Sequence, residues 1–122
     1  MNWFNDIVWW GAILTGCASS VFVSVPENET LKVHVYIQGS SSQNCEISPD
    51  SKMHKLFVDW LSKNHSGWHA TPASYVPNVL ISGSKFNVNF VSKFAIINYD
   101  EGQYSHDINP SDFANFRCDS SN

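Results

Sequence analysis

The chain is poor in charged residues, and basic residues are the scarcer kind. Charged side chains make up 15% of the 122 residues, with seven Lys and Arg against eleven Asp and Glu, so the formal net charge is −4. The basic residues are scattered singly along the sequence, whereas binding to nucleic-acid phosphates requires clusters of them. The composition therefore argues against a nucleic-acid partner.

The sequence also offers no obvious membrane span. The apolar run over residues 7–16 has the length of the hydrophobic region of an export signal and is too short for a spanning helix, which needs about 20 residues. Hydrophobic residues make up 43% of the chain and aromatic residues 14%. That composition and length predict one folded domain with one core.

Common catalytic signatures are absent from the sequence: there is no Gly-rich phosphate loop, no GxSxG motif and no paired CxxC. His65 and His69 have the spacing of two metal ligands on a helix, but Gly67 interrupts the helix between them, and zinc needs at least three protein ligands. Residues 82–85 match S-x-x-K but are typical of a β-turn. We therefore expect no metal, no cofactor and no enzymatic activity.

A short motif, Leu14-Thr15-Gly16-Cys17, ends the apolar run. It resembles the lipobox of bacterial lipoproteins, in which a branched apolar residue, a small residue and Gly or Ala precede a lipid-modified cysteine. The resemblance covers only this motif. It implies that Cys17 receives a diacylglyceryl group and becomes the acylated amino terminus after cleavage. Several acyl chains anchor a protein stably, whereas one chain alone binds a membrane only marginally.

The resemblance also implies three segments and a location. The segments are a signal peptide over 1–16, a lipidated tether over 17–20 and a single domain over 21–122. The protein is then expected on the periplasmic face of the bacterial envelope, with the outer membrane favoured over the inner. The alternative is that the apolar run is a buried strand or helix and that Cys17 is a core thiol.

The two remaining cysteines, Cys45 and Cys118, form a pair once Cys17 is assigned to lipid. In an oxidising periplasm they can form a disulfide. That bond would close a loop of about 73 residues and contribute roughly 4 kcal/mol of stability in the chain-entropy model. The alternative is two free buried thiols.

The first half of the chain predicts two strands and a helix. Val21–Val25 and Leu31–Ile37 alternate in the manner of half-buried strands, and we expect them to pair as a hairpin. Residues 39–44 have the composition of a loop. Ser48 or Asp50 can cap the helix that follows. The apolar stripe of this helix consists of Met53, Leu56, Phe57, Trp60 and Leu61.

Three further strands are expected over Val76–Ser82, Lys85–Val91 and Phe94–Tyr99, although the last two also fit one long bent strand. Asn109 can cap a short C-terminal helix that begins at Pro110. The order ββαβββ predicts an α+β domain in which an antiparallel sheet of about five strands packs against one main helix.

The C-terminal region is acidic. Between positions 100 and 119, five of the eleven acidic residues are accompanied by one basic residue, Arg117. This region is either a solvated terminal segment or an anionic surface that attracts a cationic partner. In the second interpretation the loop over 100–107 contacts the partner, with a tyrosine as anchor. The candidate contact residues are Asp100, Glu101, Tyr104, His106 and Asp107.

Together these features predict a non-enzymatic binding protein anchored to the envelope through lipid. The first hypothesis is an immunity or inhibitor protein that neutralises a toxin or hydrolase, with a basic protein as its partner. The alternative is a structural or assembly lipoprotein, such as a pilotin or an accessory subunit of an envelope complex.

Overall fold

A computed structural model describes residues 18–37, 40–72, 78–91, 93–116 and 118. In this part of the chain, seven strands form one antiparallel sheet, and a helix packs on one of its faces. The helix α1 spans Lys52–Lys63, and a 3₁₀-helix spans Pro110–Phe116. The strands are β1 (Leu31–Ile37), β2 (Ser40–Ile47), β3 (His69–Ala70), β4 (Val79–Ser82), β5 (Phe86–Val91), β6 (Phe94–Tyr99) and β7 (Gly102–Asp107). The α+β class is confirmed, whereas the expected strand number of about five is wrong.

The strand order in the sheet is β2-β1-β4-β5-β6-β7-β3. Strands β4 to β7 follow one another as hairpins, while β2, α1 and β3 are inserted between β1 and its neighbour β4. Val91 at the end of β5 pairs with Phe94 at the start of β6. The prediction of a separate strand over Phe94–Tyr99 is therefore confirmed, and the single bent strand is wrong.

The predicted strand Val21–Val25 and its hairpin with β1 are wrong. Both edges of β1 are occupied, by β2 on one side and by β4 on the other. Val21–Val25 instead forms an irregular segment, the arm, that lies over the core. The side chains of the arm still alternate between buried and exposed positions: Val21, Val23 and Val25 pack against the core, while Phe22 is 72% exposed.

A strand replaces most of the loop that was predicted over residues 39–44; Gly39 itself lies outside the described residues. β2 returns along β1, with Ile47 opposite Leu31 and Cys45 opposite Val33. An edge strand needs apolar side chains only where it faces the core, and Ile47 is fully buried there. A polar sequence is compatible with a strand in this position for that reason.

The helix begins later than expected. Its N-cap is Ser51 and not Ser48 or Asp50: the Ser51 hydroxyl accepts a hydrogen bond from the backbone N–H of His54 at 3.1 Å. Leu56 is 38% exposed, which departs from the predicted stripe. The other stripe residues are buried as predicted; they are Met53, Phe57, Trp60 and Leu61.

The core between α1 and the sheet is rich in aromatic contacts. Phe57 stacks on Phe86 with ring centroids 6.0 Å apart, and Trp60 packs against Phe90 at 5.2 Å. Phe116 of the 3₁₀-helix adds an edge contact with Phe57 at 5.5 Å and lies 5.8 Å from Phe90. These contacts attach the C-terminal segment to the middle of the core.

The C-terminal segment is held at both ends as predicted. Asn109 caps the 3₁₀-helix, since its side-chain oxygen accepts the N–H of Ser111 at 3.2 Å. The predicted disulfide is confirmed: Cys45 of β2 is bonded to Cys118, with Cα atoms 5.6 Å apart and 73 residues between them in sequence. The bond therefore joins the edge strand β2 to the residue just beyond the 3₁₀-helix.

The predicted signal peptide, and Cys17 with it, lies outside the described residues. Within the predicted tether, Ser19 pairs with Trp68: its N–H donates to the Trp68 carbonyl at 2.6 Å, and its own carbonyl accepts the Trp68 N–H at 3.1 Å. None of the helices among the described residues has the length and apolar character needed to cross a membrane.

Candidate partner-binding surface

The segment over 100–107 is a hairpin and not the predicted loop. Asp100 and Glu101 form the tip between β6 and β7, and Tyr99 pairs with Gly102 directly below it. Gly102 has a φ of 130°, a backbone conformation that favours glycine and allows the reversal. Both acidic side chains are exposed at the tip.

The remaining predicted contact residues lie on β7, where strand alternation separates them. Tyr104 and His106 pair with Ile97 and Ala95, which face the helix side of the sheet. Asp107 falls on the opposite face because successive side chains of a strand alternate. It is also about 17 Å along the strand from Gly102. Asp107 therefore does not belong to the surface around the hairpin tip.

His106 packs against the loop that follows α1. Its ring lies 5.0 Å from that of Trp68, and its Nε2 and Nδ1 atoms lie 2.8 Å and 2.5 Å from the carbonyl oxygens of Ser66 and Asp107. A neutral imidazole has one N–H, so only one of these contacts is then a hydrogen bond. Gly67, with a φ of 84°, lies so close that an added Cβ would be 3.2 Å from Nε2. These internal contacts explain the position of His106 without a partner.

Two tyrosines stand behind the acidic tip. The Tyr99 and Tyr104 rings lie 5.9 Å apart, and the Tyr104 hydroxyl donates to the Glu101 carbonyl at 3.3 Å. Burial raises the pKa of the Tyr99 phenol above its ordinary value, and Tyr104, Glu101 and Asp100 each raise it further. The hairpin tip thus combines two negative charges with a pair of packed phenol rings.

A depression of about 690 Å³ separates this tip from the arm. On the arm side, the exposed Phe22 ring stacks on His65 with centroids 5.0 Å apart. The depression is lined by Phe22, Val23, Ser24, Ser84, Lys85, Tyr99 and Asp100. We call these residues, together with Glu101 and Tyr104, the hairpin-end surface.

The acidic residues of the C-terminal region do not form one surface. Asp100 and Glu101 lie at the hairpin end, where Lys85 leaves an excess of one negative charge. Asp107 lies on the other face of the sheet, and Asp112 borders a separate depression beside α1. Asp119 lies outside the described residues. Of the four acids that the structure describes in this region, two therefore lie at the tip.

Sequence reasoning missed the arm as part of this surface. The signal in the sequence is the alternation of valine with other residues in the VFVSV stretch. When the valines face the core, the large aromatic Phe22 must face outward. Lys85 was missed because its approach to Tyr99 and Asp100 depends on two hairpin tips that lie next to each other in the sheet.

The histidines do not form a metal centre in the described part of the chain, where no group of three or more His, Cys, Asp or Glu side chains is placed to hold a metal ion. His65 stacks on Phe22, and His69 lies exposed in β3. The S-x-x-K stretch begins at Ser82, the last residue of β4, and continues as the turn 83–85 before β5, where the Gly83 N–H donates to the Phe86 carbonyl at 3.0 Å.

Comparisons of the chain with known protein families, with curated proteins and with solved structures find no match.

Proposed function

We propose that this protein is a lipid-anchored, non-enzymatic binding protein of the bacterial envelope. It binds a basic partner protein through the hairpin-end surface, in the manner of an immunity or inhibitor protein. The proposal is carried by one observation: the exposed Phe22 lines the same depression as Tyr99 and Asp100. Tyr104 packs against Tyr99 behind it, and Glu101 follows Asp100 at the exposed hairpin tip.

This combination suits a protein–protein contact. Aromatic side chains supply most of the affinity at many interfaces, and Phe22 leaves 72% of its surface to solvent in the free protein. The two tyrosine rings already pack against each other, and Tyr104 is hydrogen-bonded to the tip. Little side-chain entropy is therefore lost when they bind. The two acids add long-range attraction for a cationic partner.

Two further features support the envelope location. The Leu14-Thr15-Gly16-Cys17 motif implies lipidation, and the Cys45–Cys118 disulfide fits an oxidising compartment, since disulfides are rare in the cytosol. The anchor is tested by cell fractionation and intact mass. Wild type should be in the membrane fraction, and its intact mass should be that of a chain that begins at an acylated Cys17. The Cys17→Ser variant should be unprocessed or soluble. An unmodified full-length mass from native membranes would contradict the anchor.

The contact is tested with the partner that co-purifies with the membrane-anchored protein. Association and dissociation rates are measured at low and physiological salt, where the Debye length falls from about 30 Å to about 8 Å. For wild type the association rate should fall as salt rises, and Asp100→Asn/Glu101→Gln should weaken this dependence. Tyr104→Ala should speed dissociation by the equivalent of about 1–3 kcal/mol.

Asp107→Asn is the matched control, because it removes an acid from the same strand on the opposite face. It should bind as wild type does. Equal effects of Asp107→Asn and of the tip variant would show that only net charge matters, and unchanged rates in every variant would reject the hairpin-end surface. A partner that is a subunit of a secretion or assembly complex would favour the assembly role over immunity.

A further inference from the structure

The arm has the sequence of a strand, but no strand of the described residues pairs with it. Its side chains alternate between the core and solvent from Val21 to Val25, as they do in an extended chain. Among the described residues, the backbone N–H and C=O groups of Phe22–Val25 have no hydrogen-bond partner. The arm therefore combines side chains that alternate as in an extended chain with backbone groups that no other described residue pairs with.

The bonds on its N-terminal side show which way these groups point. Ser19 bonds to Trp68, and the Val21 N–H donates to the His65 carbonyl at 2.7 Å, so both face the loop after α1. In an extended chain the N–H and C=O groups of successive residues point to opposite edges. The backbone groups of Phe22 and Ser24 therefore point the other way, to the edge that borders the 690 Å³ depression.

From this geometry we propose that the partner adds an extended segment to the arm, as one more β-strand that lies in the depression. Recognition by strand addition takes affinity from backbone hydrogen bonds and specificity from alternating side chains. Here the added strand bonds to the N–H and C=O groups of Phe22 and Ser24. This inference rests on the proposed function and specifies how the partner binds at that same surface.

The excess negative charge around the depression indicates that the added strand is a basic segment of another protein. The far side of the depression carries Asp100, with Glu101 beside it, and Lys85 is the one cation among the described residues that line it. A lysine or arginine on the added strand compensates the excess negative charge. The arm itself contains no Lys or Arg, so the arm of a second copy would bring no cation to these acids. A basic partner therefore suits the depression better than self-association does.

The test uses the full chain and a short acetylated and amidated peptide of alternating valine and lysine. Its fully N-methylated form is the control, because it keeps the side chains and charges but has no backbone N–H. Binding is followed by NMR titration and amide hydrogen exchange. We expect the unmethylated peptide to protect the amides of Phe22 and Ser24, and the methylated peptide to bind much more weakly.

Two variants at one exposed position isolate the backbone contribution. Ser24→Pro removes the N–H at the depression edge, while Ser24→Ala removes the hydroxyl and keeps that N–H. Ser24→Ala should bind the peptide as wild type does, and Ser24→Pro should bind it about 3–10-fold more weakly, the loss expected for one hydrogen bond. Unfolding curves of both variants confirm that the fold is retained.

The outcomes separate the strand addition from the proposed function. Equal affinities of Ser24→Pro and Ser24→Ala, no peptide binding, or exchange protection away from the arm would each overturn the added strand. If Asp100→Asn/Glu101→Gln still weakened binding of the natural partner in that case, the partner would bind at the hairpin-end surface without adding a strand to the arm. A wild-type dimer in sedimentation that Ser24→Pro dissociates would identify a second copy, and not a basic partner, as the occupant.

Discussion

The two segments that flank the sheet are held in different ways. The C-terminal segment is fixed by a buried ring, Phe116, and by a covalent bond from Cys118 to Cys45. Among the described residues, the arm is held by Val21, which is 4% exposed, by the partly buried Val23 and Val25, and by the bond from the Val21 N–H to His65. Beyond Val21 no other described residue pairs with the backbone groups of the arm, and the Phe22 ring is exposed. One end is therefore held by a covalent bond and a buried ring, while the other leaves an aromatic ring exposed, as the proposed binding surface requires.

Truncation of one phenylalanine in each segment tests whether the two segments differ in their contribution to stability. Phe116→Ala should lower the free energy of unfolding by about 3–5 kcal/mol, because it leaves a cavity beside Phe57 and Phe90. Phe22→Ala should change it by less than about 0.5 kcal/mol, since that ring is mostly exposed. Urea unfolding of the oxidised proteins measures both, and similar losses in the two variants would show that the arm is part of the stable core.

Reduction of the disulfide should have the next largest effect. Opening a loop of 73 residues should lower the free energy of unfolding by about 2–4 kcal/mol, since the unfolded chain then gains conformational freedom. Urea unfolding with and without reductant measures the loss. Cys45→Ser/Cys118→Ser serves as the control and should not respond to reductant. An unchanged midpoint in reduced wild type would mean that Phe116 alone holds the C-terminal segment.

The smallest effect concerns Tyr99, next to the arm. Its pKa is raised in the folded protein, chiefly by burial and then by Tyr104, Glu101 and Asp100. The fold therefore favours the neutral phenol, and this stabilisation is fully present below the unfolded pKa of about 10 and is lost as pH rises through the folded pKa. Unfolding curves of wild type and Tyr99→Phe should diverge above about pH 10, with wild type losing stability faster. Parallel curves would contradict the raised pKa of Tyr99 in the folded protein.

The elements that sequence reasoning predicted well are those with strong local patterns. The helix is visible because Met53, Phe57, Trp60 and Leu61 recur at helical spacing, and β1 because it alternates cleanly. The disulfide is predicted from the number of cysteines, since Cys45 and Cys118 remain once Cys17 is assigned to lipid. In contrast, β2 and β7 are polar strands whose stability comes from neighbouring strands, so their local sequence resembles a loop.

The structure brings together some of the residues proposed for the contact and separates others, while their binding role stays a prediction. Asp100, Glu101 and Tyr104 lie together at the hairpin end, as expected of the proposed contact. His106 is engaged with the loop after α1, and Asp107 is on the other face. A loop does not place successive side chains on opposite sides, so the loop prediction keeps all five residues on one surface. In a strand, successive side chains point to opposite faces of the sheet, and Asp107 is therefore separated from Tyr104 and His106.

Several features of the protein follow from the local sequence alone: the apolar periodicities, the turn-forming glycine at 102, the number of cysteines and the phase that exposes Phe22. These are local properties, because side-chain alternation and backbone preference depend on near neighbours in the chain. The tertiary structure decided which segments pair. β1 has only two edges, and β2 and β4 occupy them, so a segment with an equally good strand pattern is left as the arm. Strand pairing is a competition for edges between distant parts of the chain, and local sequence carries no record of its outcome.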